Sequence, residues 1–116
     1  MIREHFDSVV KILVKEIKRF YGDRLVSIVL FGSVARGTVR HDSDIDILII
    51  AEKLPRGRMK RVVEFTKIEK RLENILSKLR RQGLFIELSP IIKSTRNDSK
   101  ALPWEISERW QRYPRT

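Results

Sequence analysis

Several residue types are scarce in this chain, and each scarcity excludes certain bonds, nucleophiles or metal sites. The chain has no cysteine, which excludes disulfides, thiol nucleophiles and cysteine-bound zinc. It has two histidines, His5 and His41, too few for a typical histidine metal site, and we expect neither to be catalytic. Any bound metal would therefore have oxygen ligands, which favours Mg²⁺ or Mn²⁺.

Long apolar runs are also absent. No stretch approaches the roughly 18 residues of a membrane-spanning helix, and residues 1–5 lack the basic-then-apolar layout of a signal peptide. We therefore expect a cytoplasmic protein without membrane contact. A length of 116 residues suits a single domain, with its core at about residues 2–92 and a tail over residues 93–116.

Negative charge is in the minority. The 15 Asp and Glu residues stand against 25 Lys and Arg residues, which gives a net charge of +10. One interpretation is a polyanionic partner, such as a nucleotide, a nucleic acid or an acidic protein surface. Another is the charge-dense surface of a thermophilic protein. The two are compatible, since a phosphate-binding site also benefits from a positive field.

Apolar periodicity predicts a mixture of helices and strands. Ile2–Phe20 and Arg58–Arg81 repeat apolar residues every three or four positions, as amphipathic helices do, and Val62 falls on the apolar face of the second. The other predicted elements are buried strands at Leu25–Phe31 and Ile45–Ala51, a third strand at Leu84–Ile92, and short helices over residues 34–37 and 103–112. Pro90 places the third strand at a sheet edge. The predicted class is α/β (α+β), a small mixed β-sheet with helices packed against it.

A glycine-serine pair follows the first strand. Gly32 lets the backbone approach a phosphate closely, and Ser33 adds a hydroxyl donor and a plausible helix N-cap. Such pairs are common in ordinary turns. The pair therefore indicates phosphate binding only in combination with other features.

Two carboxylates open the second strand. Asp44 and Asp46 are two residues apart, so their side chains point to the same side of a strand. Adjacent carboxylates repel each other and are costly to desolvate unless a cation lies between them. Such a pair can bridge two divalent ions about 3.5–4 Å apart, an arrangement used in phosphoryl transfer. The alternative is a solvated turn capped by Asp42 and Ser43.

A third acid, Glu87, lies within the third predicted strand. Phe85, Glu87 and Ser89 share one face of that strand. A charge in mid-strand needs a partner or a metal. If this strand lies beside the strand of Asp46, Glu87 can reach the same ion. The alternatives are a solvent-facing edge residue or an ion pair with Lys or Arg.

In combination, these features resemble a known superfamily. Gly32-Ser33, ten residues, Asp44-x-Asp46 and a later strand acid are similar to the nucleotidyltransferases related to DNA polymerase β. The strings over residues 32–37 and 43–47 resemble its minimal, antitoxin-type branch. The local match covers about residues 28–50, and the order of elements extends it to about residue 92. The resemblance implies the polymerase-β-like nucleotidyltransferase fold.

The resemblance also implies roles for these residues. Gly32 and Ser33 would hold the β- and γ-phosphates of a nucleoside triphosphate such as ATP. Asp44 and Asp46 would bind two Mg²⁺ ions, with Mn²⁺ as a substitute. Glu87 would be the third metal ligand and would help to deprotonate an acceptor hydroxyl. That hydroxyl would attack the α-phosphorus, and pyrophosphate would leave.

Two arginines are our own additions to the candidate site. Arg36 and Arg40 lie in the loop after the glycine-serine pair, and guanidinium groups suit phosphate geometry. The sequence departs from the superfamily in its third acid, since Asp is commoner there than the glutamate at position 87. The chain also offers no second domain for an acceptor, so a homodimer or a docked partner would have to supply that site.

The minimal branch implies an antitoxin-like role. It would transfer AMP to a tyrosine of a helical HEPN-type partner, or cover the RNase site of that partner. Two other functions stay open, a non-catalytic binding module and a basic RNA-binding adaptor. Residues 53–81 hold eleven Lys and Arg against three Glu, a net +11 − 3 = +8, which suits RNA, an acidic partner or solvent. In the tail, Ile106, Trp110 and Tyr113 would share one helical face, to pack on the domain or dock a partner.

Overall fold

The described residues of this protein form a mixed sheet of four strands. The computed structural model describes residues 2–40, 43–94 and 111–114. Its elements are α1 (Ile2–Tyr21), a 3₁₀ turn (Gly22–Arg24), β1 (Leu25–Phe31), α2 (Gly32–Arg36), β2 (Asp44–Ala51), α3 (Arg58–Arg81), β3 (Glu87–Ser94) and β4 (Gln111–Pro114). The strand order is β3-β2-β1-β4. β1 is antiparallel to β2 and to β4, and β2 is parallel to β3. The predicted fold class, a mixed sheet with helices, is confirmed.

The main core lies between one face of the sheet and helices α1 and α3. Side chains alternate along β2, so Ile45, Ile47 and Ile49 are fully buried in this core. The helices supply matching apolar stripes, with Phe6, Val9, Leu13 and Ile17 from α1 and Phe65, Ile68, Leu72, Leu76 and Leu79 from α3. Burial of each large side chain contributes about 1.5–3 kcal/mol. The core therefore fixes which face of β2 points away from the helices.

The opposite face of the sheet carries the polar residues of interest. Val29 of β1 and Leu48 of β2 are buried there, as predicted for strands buried on both faces. Asp44 and Asp46 lie four and two residues before Leu48, respectively, and therefore share its face. The sheet thus separates the candidate site from the helical core.

β3 begins three residues later than predicted. Gly83 ends α3 with φ = +90°, and the Leu84 N–H donates to the Leu79 carbonyl at 2.9 Å, which is a Schellman closure. Leu84 therefore still belongs to the C-terminal cap of α3, and residues 85 and 86 precede the first pair of β3 with β2. Pairing with β2 starts at its first residue, Asp44, which lies opposite Glu87. Glu87 is thus the first residue of β3 and not a mid-strand residue. Pro90 lies on the sheet edge, as predicted.

Two further expectations are wrong. The apolar period predicts Val62 on the buried face of α3, but this side chain is 43% exposed, because the first turns of α3 lie beside the distal end of β3. Gln111 and Arg112 were assigned to a helix but belong to β4. The backbone of β4 satisfies hydrogen-bonding groups along the second edge of β1, with Tyr113 opposite Ile28. The prediction that Tyr113 lies on a helical face is therefore wrong.

The remainder of the predicted tail helix, residues 103–110, lies outside the described residues. α2 begins at Gly32, two residues before the predicted helix over residues 34–37, so Ser33 lies inside this helix and is not its N-cap. The longer elements agree closely with the periodicity. α1 ends one residue later than predicted, and α3, β1 and the end of β2 are as predicted. No helix in the described ranges is long and apolar enough to cross a membrane.

Candidate active site

The turn between β1 and α2 is built around Gly32. Its φ of +76° is a conformation that residues with a Cβ rarely adopt. A Cβ at this position would collide with Asp46 Oδ2 and would lie 3.0 Å from Asp46 Cγ. The missing side chain therefore leaves room for the Asp46 carboxylate directly against the turn.

The short helix α2 closes tightly after this turn. Gly37 has φ = +75°, and the Thr38 N–H donates to the Ser33 carbonyl at 2.9 Å. This is again the Schellman pattern. Ser33 is half-buried in the first turn of α2, next to the Gly32 backbone. The closure fixes the position of both residues relative to the start of β2.

The loop that returns to β2 ends in a hydrogen-bonded turn. The Arg40 N–H donates to Ser43 Oγ at 2.7 Å, and the Ser43 N–H donates to the Arg40 carbonyl at 3.1 Å. Ser43 therefore shapes the loop, as the turn-capping alternative supposed. His41 and Asp42 lie outside the described residues. Asp44 follows immediately and is exposed at the first position of β2.

Asp46 is the most constrained acid of the site. Burial raises the pKa of its carboxyl group, and the charge of Asp44 raises that pKa further. A hydrogen bond from the Ser89 side chain and the charge of Arg36 oppose the increase. Burial and the charge of Asp44 thus disfavour the ionised form of Asp46. A cation beside the two carboxylates would stabilise that form.

Glu87 lies beside the aspartate pair. β2 and β3 are parallel, with Asp44 opposite Glu87 and Asp46 opposite Ser89. Glu87 is exposed. It also lies near Glu69 of α3, whose pKa is raised first by burial and then by the charge of Glu87. The strand of Glu87 therefore lies beside the strand of Asp46, as is needed for Glu87 to reach an ion at Asp46.

The carboxylates form a pair with a third acid beside it. Within the described parts of the chain, no three His, Asp or Glu side chains converge into a group that could hold a metal ion. Mg²⁺, however, is commonly bound through one or two carboxylates together with substrate phosphates and water. Asp44 and Asp46 supply two hard oxygen ligands, and the Asp46 carboxylate packs against the Gly32 turn, so the residues present fit such an ion.

The two predicted arginines differ in their placement. Arg36, the last residue of α2, is exposed, and its charge lowers the pKa of Asp46. Arg40 is exposed too, but its contacts in the structure are those of its backbone with Ser43. The structure therefore brings Arg36 to the aspartate pair and gives Arg40 a position only in the preceding loop.

The sequence analysis missed one residue of this site, Ser89, and one acid close to its edge, Glu69. Ser89 binds Asp46, and its spacing of two from Glu87 was the available signal. Glu69 lies near Glu87 although it is on α3. No local pattern reports that proximity, because it depends on how α3 packs along β3.

Comparison with known proteins agrees with this geometry. Residues 10–109 match the nucleotidyltransferase domain family. The chain belongs to this family. The resemblance inferred from Gly32-Ser33 and Asp44-x-Asp46 is therefore confirmed at the level of the family and its fold.

Several relatives carry the name adenylyltransferase. The protein adenylyltransferase MntA of Thermococcus cleftensis is 33% identical over 79% of this chain and 78% of its own length. MJ1305 of Methanocaldococcus jannaschii, assigned as a protein adenylyltransferase, is 37% identical over 84% of this chain. The spectinomycin 9-adenylyltransferase of Staphylococcus aureus is 30% identical over 78% of it.

The aligned lengths differ among these relatives. The match covers 60% of MJ1305 and 32% of the spectinomycin enzyme. No solved structure matches the chain. The family and its adenylyltransferase relatives support a nucleotidyltransferase-type domain.

Proposed function

We propose that this nucleotidyltransferase domain transfers AMP from ATP to a hydroxyl group of an acceptor protein. The observation that carries the proposal is the placement of Asp44 and Asp46 on one sheet face, with Asp46 packed against the Gly32 turn. This turn and this pair are the features expected of a phosphate site beside a metal site. The adenylyltransferase names of the relatives support ATP as the nucleotide.

Different residues of the chain would bind the metal ions, bind the phosphates and face the acceptor. Asp44 and Asp46, with Glu87 beside them, would hold the two divalent ions, which when bound neutralise phosphate charge. The turn at Gly32 and Ser33 holds the β- and γ-phosphates. Because Glu87 lies opposite Asp44 and is exposed, an acceptor can approach it from solvent.

The reaction is a substitution at the α-phosphorus. A bond forms between the acceptor oxygen and the α-phosphorus, and the bond to the bridging oxygen of pyrophosphate breaks. The acceptor proton passes to the Glu87 carboxylate. Arg36 and Arg40 stabilise charge on the phosphates, Arg36 from the position in which its charge already acts on Asp46. Most of the rate enhancement comes from positioning and charge stabilisation.

A protein acceptor is supported over a small molecule by the activities named for the relatives. MntA and MJ1305 are named as protein adenylyltransferases, at 33% and 37% identity, whereas the Staphylococcus aureus relative, at 30% identity, is named for spectinomycin. We propose a tyrosine hydroxyl of a small helical HEPN-type protein as the acceptor, so that the chain acts as an antitoxin. The site edge itself leaves room for a docked acceptor, because Asp44 and Glu87 are exposed there.

The test is transfer of label from [α-³²P]ATP, with Mg²⁺, to the product of the neighbouring reading frame. We expect labelling by the wild-type chain and its loss, by at least about a hundredfold, in Asp44→Asn/Asp46→Asn. Glu52→Gln is the matched control, since Glu52 is an exposed acid just after the other end of β2. Equal labelling by the double variant would contradict the assigned site. Tight partner binding without any labelling would indicate a non-catalytic antitoxin instead.

A further inference from the structure

The first two turns of α3 expose an apolar stripe. Met59, Val62 and Val63 are 78%, 43% and 57% exposed. Their spacing of three and four residues places them on one side of the helix. They are three of the five large hydrophobic residues exposed in the described part of the chain. We call these three residues the α3 patch, and apolar residues grouped on an exposed face in this way can contribute to an interaction surface.

A surface cavity adjoins the α3 patch. It has a volume of about 360 Å³ and lies between Arg58, Arg61 and Val62 of α3 and residues 90–93 of β3. Its size is at the lower end of the range for ligand pockets. Val62 belongs to both the cavity and the patch. The two features therefore form one continuous surface.

The edge of β3 beside this cavity is poorly suited to the addition of a strand. Pro90 has no N–H to donate. Arg61 Nη1 donates to the Ile92 carbonyl at 3.4 Å, which occupies an acceptor along the same stretch. Both features blunt a sheet edge. The cavity therefore suits side chains of an incoming element and not its backbone.

The rim of this surface is basic. Arg58 and Lys93 line the cavity, and Lys60 and Lys67 lie on the exposed side of α3. None of these four residues forms an ion pair with a carboxylate in the described ranges. Glu64, an acid of the same helix turn, is half-buried and lies 3.7 Å from Arg24. The patch thus combines an apolar centre with positive charge that is not neutralised locally.

We propose that the α3 patch and its cavity dock an acidic amphipathic helix of a partner protein. One apolar side chain of that helix enters the cavity, and its Asp and Glu residues face Arg58, Lys60 and Lys93. A protein is favoured over RNA because the exposed part of α3 has no aromatic residue on which a base could stack; its one aromatic residue, Phe65, is buried.

The surface lies toward the end of β3 that is far from Glu87, and its first lining residue on this strand, Pro90, directly follows Ser89 of the candidate site. Glu87 starts β3 beside Asp44, whereas the cavity is lined by residues 90–93 and by the first turn of α3. A partner bound here would leave the aspartate pair accessible. The proposal therefore stands independently of the reaction at that pair.

The test is a titration of the full ¹⁵N-labelled chain, followed by NMR, with a synthetic helix of about four turns that has Leu on one face and Glu on the other. We expect saturable shifts at Met59, Val62, Val63 and the cavity residues. Met59→Ser/Val63→Ser is expected to weaken binding about tenfold, since both side chains are exposed and removable without loss of the core. Val26→Ser, which alters an exposed apolar residue elsewhere, is the matched control and should bind normally.

Three outcomes would overturn the proposal. One is the absence of saturable shifts at the α3 patch. Another is equal binding of the same helix with Lys in place of Glu, which would remove the role of the basic rim. The third is a single-stranded oligouridine that shifts these residues and binds more tightly than the acidic helix, because the surface would then serve RNA.

Discussion

Asp44 and Glu87 lie directly opposite each other in the parallel pairing of β2 and β3. They are separated in the chain by the whole of α3, so this register is a tertiary result. A slip of one residue would turn Glu87 to the helical face of the sheet. The pairing thus determines whether the third acid can serve the aspartate pair.

The first prediction concerns the space beside Gly32. Gly32→Ala forces an alanine into φ = +76° and drives its Cβ into the Asp46 carboxylate. We expect a loss of about 1–2 kcal/mol in the free energy of unfolding from the backbone. Overpacking should add about 1–3 kcal/mol. Urea denaturation measures the total, and nucleotide transfer should be lost with it.

Gly37→Ala is the matched control for that variant. Gly37 has nearly the same φ, +75°, but an added Cβ there would lie 3.6 Å from the Arg3 side chain, an ordinary contact. It should lose only the backbone contribution. If the two variants were equally stable, the close packing of Gly32 on Asp46 would be wrong.

The second prediction is that the ionised Asp46 carboxylate lowers the stability of the folded protein. Its pKa is raised above the ordinary 3.8, so between 3.8 and the raised value the folded state binds the proton more tightly than the unfolded state. Stability therefore falls as the pH increases through this window. At neutral pH, in EDTA, Asp46→Asn should melt at the wild-type temperature or above it.

Addition of Mg²⁺ and ATP should reverse that order. Ligand that binds only the folded state raises its melting temperature, and the variant should lose most of this gain. Differential scanning calorimetry gives both comparisons. An Asp46→Asn protein that melts well below the wild type in EDTA would argue that the carboxylate is a structural residue.

A third prediction concerns alkaline unfolding. Burial, and then the charge of Glu64, raise the pKa of Tyr21 from 10.0 to about 12, while Arg24 opposes them. Because the folded state keeps the phenol protonated, this group contributes its full share of stability below pH 10. That contribution is lost as the pH rises toward 12 and the phenol ionises. Tyr21→Phe should remove this part of the alkaline decline, as measured by urea denaturation between about pH 8 and pH 11.

The same variant should be well tolerated at neutral pH. The Tyr21 hydroxyl is buried without a hydrogen-bond partner in the described part of the chain, and Phe keeps the ring contacts with Phe20 and Arg24. We expect a change within about 1 kcal/mol, in either direction. A larger loss of stability would reveal a partner for the hydroxyl.

The fourth prediction concerns Ser89. Its side chain donates to Asp46 and thereby lowers the pKa of that carboxyl group. Ser89→Ala should raise that pKa, which moves the acidic limb of the pH profile of AMP transfer to higher pH. Ser89→Thr keeps a hydroxyl and should restore the wild-type profile. A lower rate with an unshifted profile would mean that Ser89 acts only through packing.

Local patterns predict much of this molecule because its local and tertiary preferences agree. The apolar stripes of α1 and α3 and the β-branched runs of β1 and β2 predict those elements almost to the residue. The shared face of Asp44 and Asp46 follows from strand geometry alone. The glycine at position 32 was predicted as a site residue, but its contact with Asp46 was not, since that contact joins the two sides of a loop.

What the patterns miss depends on long-range packing. β3 starts at Glu87 because β2 starts at Asp44, and no property of residues 84–86 encodes this. Val62 fits the apolar period of α3, but α3 begins beside the end of β3, where that side chain is exposed. β4 pairs with the edge of β1 that β2 leaves without a neighbouring strand. Each error arises where strand pairing or packing between distant segments overrides a local preference.

We propose that the aspartate pair at the start of β2 binds divalent metal together with ATP. This site is tested most directly by a crystal grown with Mn²⁺ and a non-hydrolysable ATP analogue, in which anomalous scattering locates the ion. We predict a manganese peak between the Asp44 and Asp46 carboxylates, with Glu87 turned toward it and the phosphates at Gly32 and Ser33. A bound nucleotide without manganese at this pair, or with its phosphates elsewhere, would contradict the account.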